Sequence, residues 1–167
     1  MQQALAETTL ASLGTLAVGD WFLTRRDDTY VVGFMFAKAP NEVSWVEIDA
    51  ERARCYQLDT NRNRQEVLRI SVPEKLQVQF DLSPPTATHV PNRGQLVIIP
   101  ELGACIAVDW AAKNQDKQYS NLLSLKGCQL ESSTDPTFVF ERWALGYYGL
   151  DGKWIDVVRR GPPLPAL

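Results

Sequence analysis

Two pairs of carboxylates in this sequence have a spacing that suits acid/base chemistry, Glu47 with Asp49 and Asp27 with Asp28. Glu47 and Asp49 stand two apart on an expected strand, so both side chains share one face. Facing a cavity, such a pair can divide a proton-donating and a proton-accepting role. Facing water, the same residues only line a solvated surface. A Ser–His or Cys–His nucleophile would have to use His89, the only histidine, in the loop-like run Thr88-His89-Val90-Pro91. Cys55, Cys105 and Cys128 are widely spaced and have apolar neighbours, as in Ala104-Cys105-Ile106. They read as buried, reduced thiols in a reducing compartment. With no Cys-x-x-Cys and no His-x-x-x-His, a four-ligand zinc site is not expected, nor is any other metal or cofactor. Phosphate-cradling glycine loops and the Gly-x-Ser-x-Gly elbow are also missing. An enzyme working through carboxylates therefore ranks behind a protein that binds.

The arginines carry the stronger signal for binding. Arg52, Arg54, Arg62, Arg64 and Arg69 fall within eighteen residues. In extended chain, Arg52 and Arg54 share one side, and so do Arg62 and Arg64. Guanidinium groups are favoured at interfaces, so Arg52, Arg54, Arg62 and Arg64 are the candidate partner-binding residues, suited to an acidic or polar protein surface. The alternative is a solvated face balanced by Asp49, Glu51, Asp59 and Glu66. The formal net charge of −3 lacks the basic footprint of a nucleic-acid binder. No basic n-region precedes Arg25, Glu7 interrupts the N-terminal segment, and no apolar run approaches the roughly 20 residues of a membrane helix. A cytoplasmic protein with no membrane partner is the expectation.

These side chains must be positioned by strands. Residues 3–16 read as one helix, because Ala4, Leu5, Leu10, Leu13 and Leu16 recur near one face and no proline intervenes. After Gly19 the period changes to two. Tyr30, Val32, Phe34 and Phe36 alternate onto one face, and Leu76, Val78, Phe80 and Leu82 alternate with Gln77, Gln79 and Asp81. Leu122–Leu130 and Thr137–Leu145 each read as one strand, the first with Gly127 as a bulge. A hairpin is expected around Pro100-Glu101-Leu102-Gly103, and another around Gly149-Leu150-Asp151-Gly152. The stretch 113–121 is either a long loop or a short helix. Residues 161–167 form a proline-rich tail that cannot join a sheet interior. Strand candidates, about 8–11 in number at regular spacing, predict a mainly β fold: an antiparallel meander, barrel or sandwich with one N-terminal helix, in a single domain over 1–167.

Trp45, Trp110, Trp143 and Trp154 lie in strand-like segments and suit cross-strand packing or the lining of a barrel cavity. Gly19-Asp20-Trp21, following the expected helix, resembles the opening of lipocalin-like barrels. Such barrels place an arginine from near the last strand over that tryptophan, a position that Arg142 or Arg159 matches. No C-terminal helix follows the expected sheet, which departs from the family pattern. The resemblance implies a small apolar ligand or pigment in a calyx, with Trp21, Trp45, Arg142 and Trp143 as its binding residues. Three functions thus follow from the sequence, in order: a non-enzymatic protein-binding domain of adaptor, assembly, inhibitor or immunity type; a lipocalin-like ligand barrel; and a carboxylate enzyme.

Overall fold

The structure is a computed structural model and describes residues 8–49, 53–59, 65–71, 75–81, 91–108, 120–127, 129–133 and 138–164. Within them the strands are β1 (Thr8–Ser12), β2 (Trp21–Arg26), β3 (Thr29–Ala39), β4 (Glu42–Ile48), β5 (Ala53–Asp59), β6 (Glu66–Ile70), β7 (Gln77–Phe80), β8 (Leu96–Ile99), β9 (Gly103–Val108), β10 (Ser120–Ser124), β11 (Gln129–Ser133), β12 (Phe138–Phe140), β13 (Trp143–Tyr148) and β14 (Trp154–Arg160). They form three antiparallel sheets. Six strands run in the order β1-β6-β2-β3-β4-β5, five in the order β11-β10-β9-β8-β12, and three in the order β14-β13-β7. The fold is mainly β and antiparallel, and no barrel closes among the described strands.

Alternation along the strands decides what faces what. On β2 and β3, Trp21, Leu23, Val32 and Phe34 point into a central core, joined by Val46 and Ile48 of β4. Leu96, Ile106 and Leu123 of the five-stranded sheet meet them there, with Trp143, Leu145 and Val158 of the three-stranded sheet. One face of the six-stranded sheet thus packs on both other sheets, the sandwich solution for half-apolar sheets. Its outer face carries a second cluster of Phe22, Met35, Val43, Trp45 and Val67, capped by Leu13 and Leu16. A third cluster on the five-stranded sheet includes Val97, Cys105 and Leu122. Cys105 is buried, as its neighbours suggested, and Cys55 is half-buried.

The N-terminal helix is absent from the described part of its range. Thr8–Ser12 is extended and pairs with β6, with Thr8 opposite Ile70 and Ser12 opposite Glu66. Only Leu13–Thr15 turns, as one short 3-10 turn. Leu13 and Leu16 recur because one 3-10 turn aims both at the sheet, and Leu10 is exposed rather than part of a buried stripe. The helical period was the mark of a turn, and β-branched Thr8 and Thr9 favour the extended chain before it.

Two expected single strands are in fact broken. Leu122–Leu130 contains the β10–β11 hairpin, whose turn holds Gly127, and Ser124 Oγ accepts a hydrogen bond from the Gly127 amide at 3.0 Å. Thr137–Leu145 is cut between Phe140 and Trp143, and its halves join different sheets. Both breaks raise the strand number above the expected range.

Gly33 fixes how closely β2 and β3 approach on the outer face. It lies opposite Phe22, whose ring would stand 2.3 Å from a Cβ added at Gly33. Phe22 is fully buried and cannot swing aside. Gly33→Ala should therefore destabilise the protein by about 1–3 kcal/mol, the usual cost of overpacking. Urea denaturation measures it, and Phe22→Leu in the same chain should recover part of the loss.

Candidate functional site

β2 leaves the core at Arg26 and turns through Asp27-Asp28 into β3, with Asp27 in the left-handed region at φ 50°. Aspartate tolerates that conformation better than most residues. Register does the rest: Gly33 of β3 pairs with Glu47 of β4, Glu47 with Arg54 of β5, and Trp45 with Tyr56. At this end of the outer face a cleft of about 510 Å³ opens, walled by Arg26, Val31, Glu47, Asp49, Arg54 and Tyr56 and rimmed by Asp27, Asp28 and Thr29.

Glu47 is the buried charge of the cleft, its side chain 7% accessible. Arg26 Nη2 donates to Glu47 Oε2 at 2.6 Å, and Trp45 Nε1 donates to Oε1 at 3.2 Å. The Arg26 guanidinium also lies over the Tyr56 ring, 4.7 Å from its centroid. Tyr56 stacks on Trp45 with centroids 5.5 Å apart. Burial pulls Arg26 toward the neutral form, but the Glu47 charge and Tyr56 together outweigh it and hold Arg26 above its ordinary range. Arg26 is therefore a permanent cation.

The other charges are arranged differently. Arg54 is exposed and makes no ion pair among the described residues. Asp28 pairs with Arg25 at 3.8 Å where both are exposed, which contributes little. Among the described residues the cleft is lined by Arg26, Val31, Glu47, Asp49, Arg54 and Tyr56, and its best-shielded carboxylate is bound to Arg26 and Trp45. Such a constellation can meet charged and hydrogen-bonding groups.

Both carboxylate pairs singled out in the sequence meet here, together with Arg54. Arg52, Arg62 and Arg64 lie outside the described residues, as do His89, Cys128 and Trp110. Arg26 was missed; its position beside a two-residue turn was the available signal. Among the described residues no group of three or more His, Cys, Asp and Glu could hold a metal ion. No described helix is long and apolar enough to cross a membrane.

The four residues assigned to a calyx are dispersed. Trp21 packs in the central core against Phe34 at 4.6 Å, and Trp143 is fully buried in the same cluster. Trp45 belongs to the opposite face of the six-stranded sheet. Arg142, which the lipocalin resemblance would set over a tryptophan, pairs with Asp81 at 2.6 Å and donates to the Pro163 carbonyl at 3.1 Å. Arg159 pairs with Asp156. No protein-family model, no curated protein and no solved structure matches this chain.

Proposed function

We propose that this chain is a non-enzymatic binding module that engages a protein partner through the cleft at the end of the six-stranded sheet. The observation that carries the reading is the division of charge there. Arg26 and Glu47 neutralise each other inside the wall, while Arg54 stands exposed at its edge with no ion pair among the described residues. An acidic group on a partner has an exposed guanidinium to meet at the edge of a cleft whose wall holds the stacked Trp45–Tyr56 pair. The carboxylates of Asp27 and Asp28 offer a nearby place for a basic group, so a polar segment of mixed charge fits best.

Native mass spectrometry on protein isolated from its own source identifies the partner. Arg54→Glu should then weaken that complex at least tenfold and flatten its salt dependence, whereas Lys153→Glu, at the remote β13–β14 turn, should change neither. Equal affinity of the parent and Arg54→Glu chains would overturn the reading. The meeting of Asp27, Asp28, Glu47 and Asp49 in one cleft favours carboxylate acid/base catalysis as the second reading. A turnover lost with Asp49→Asn and kept with Arg54→Glu would select it.

A further inference from the structure

The three-stranded sheet has a solvent-facing side that plays no part in the cleft. Its register places Gln77 and Gln79 of β7, Ala144, Gly146 and Tyr148 of β13, and Trp154, Asp156 and Arg159 of β14 on that side. The central strand carries only small residues on that side, Ala144 and Gly146, and both are buried beneath their neighbours. Trp154, itself half-buried, lies across Gly146: a Cβ added there would stand 2.7 Å from Cζ2 and 2.9 Å from Cε2 of the indole. Tyr148 meets that indole edge-on, with centroids 5.3 Å apart, and is itself half exposed.

The arrangement is held before any ligand arrives. Trp154 Nε1 donates to Asp156 Oδ1 at 2.7 Å, and Arg159 pairs with the other oxygen of the same carboxylate. Gln79 Nε2 donates to the Tyr148 hydroxyl at 3.2 Å, and Gln77 is exposed beside it. Locked rotamers lower the entropic cost of binding.

We infer that this face is a binding platform for a neutral oligosaccharide, with the Trp154 indole stacking on the apolar face of a sugar ring and the glutamine amides meeting its hydroxyls. Charge complementarity selects the ligand class. Among the described residues of this face, Asp156 is matched by Arg159, Asp151 at the adjoining turn is matched by Lys153 at 3.4 Å, and the remaining polar groups are uncharged amides and a phenol. An uncharged polyol fits these groups better than a charged ligand. A proline-rich peptide also docks on aromatic residues and is the competing ligand in the test.

Isothermal titration of the full chain with cellohexaose, chitohexaose, xylohexaose and maltohexaose tests the inference. Binding of at least one is expected, insensitive to salt and at least tenfold weaker in Trp154→Ala. Because that change also removes a cross-strand pair, Gln77→Ala is run beside it. This exposed substitution should leave thermal melting unchanged and still weaken binding about threefold. Failure of all four sugars to bind overturns the inference, as does full affinity in both variants. Binding of decaproline or of single-stranded oligothymidine in place of the sugars, the latter weakened by salt, also overturns it.

Discussion

Trp143→Ala should cost about 3–5 kcal/mol of folding stability, the range for deleting a large buried aromatic side chain. Trp143 is fully buried and belongs to the cluster in which all three sheets meet, so no neighbour is free to collapse into the space. Its indole N–H also donates to the Gly94 carbonyl at 2.9 Å, which ties the entry to β8 to the three-stranded sheet. Trp143→Phe separates the two contributions. It keeps most of the apolar contact and leaves the Gly94 carbonyl unsatisfied, at a cost of about 1–3 kcal/mol. Urea denaturation of the three proteins gives both numbers. A loss under about 1 kcal/mol for the alanine variant would show that the sheets do not share one core.

Arg26→Leu should destabilise the fold by about 1–3 kcal/mol. Removing one partner of a fully buried ion pair costs about 3–5 kcal/mol, since the remaining charge is stranded. Glu47 is nearly inaccessible, but the Arg26 side chain is 46% accessible, so water screens part of the loss and the lower range applies. Urea denaturation of the parent and the variant at neutral pH measures the loss. Equal stability of the two chains would mean that Glu47 does not depend on Arg26. Arg26→Lys should restore the charge but not the contact with Tyr56, and should recover only part of the loss.

Strand type was readable wherever one face is wet. In β7, Val78 and Phe80 pack toward the core and alternate with glutamines, so period two was plain. It failed where a short turn imitates another period, as at Leu13 and Leu16, and where a break is marked by no glycine or proline, only by the charged pair Glu141-Arg142 between Phe140 and Trp143. The cleft was readable only as ingredients. Asp27-Asp28, Glu47 and Asp49, and Arg54 each stood out by type and spacing, yet nothing local says that the β2–β3 turn lies against β4 and β5. That adjacency comes from pairing order, a long-range choice of the whole chain. The Gly146–Trp154 contact was hidden for the same reason, since it needs the cross-strand register of a bulged hairpin.

The insertion of β6 between β1 and β2 sets a timetable for synthesis. Ser12 has no strand partner until Glu66 has been made, and Phe80 of β7 waits for Trp143. At about 5–20 residues per second on the ribosome, each wait lasts on the order of several seconds. The β2–β5 meander, by contrast, pairs neighbours as they emerge. A nascent chain thus carries a finished four-stranded ribbon whose β2 edge is bare, beside a leading strand with nowhere to dock. Open edges invite pairing with other chains. This protein's exposure to aggregation is therefore greatest in the two intervals before β6 and β13 arrive, and slowing translation across residues 13–66 should lower soluble yield more than slowing it after residue 143.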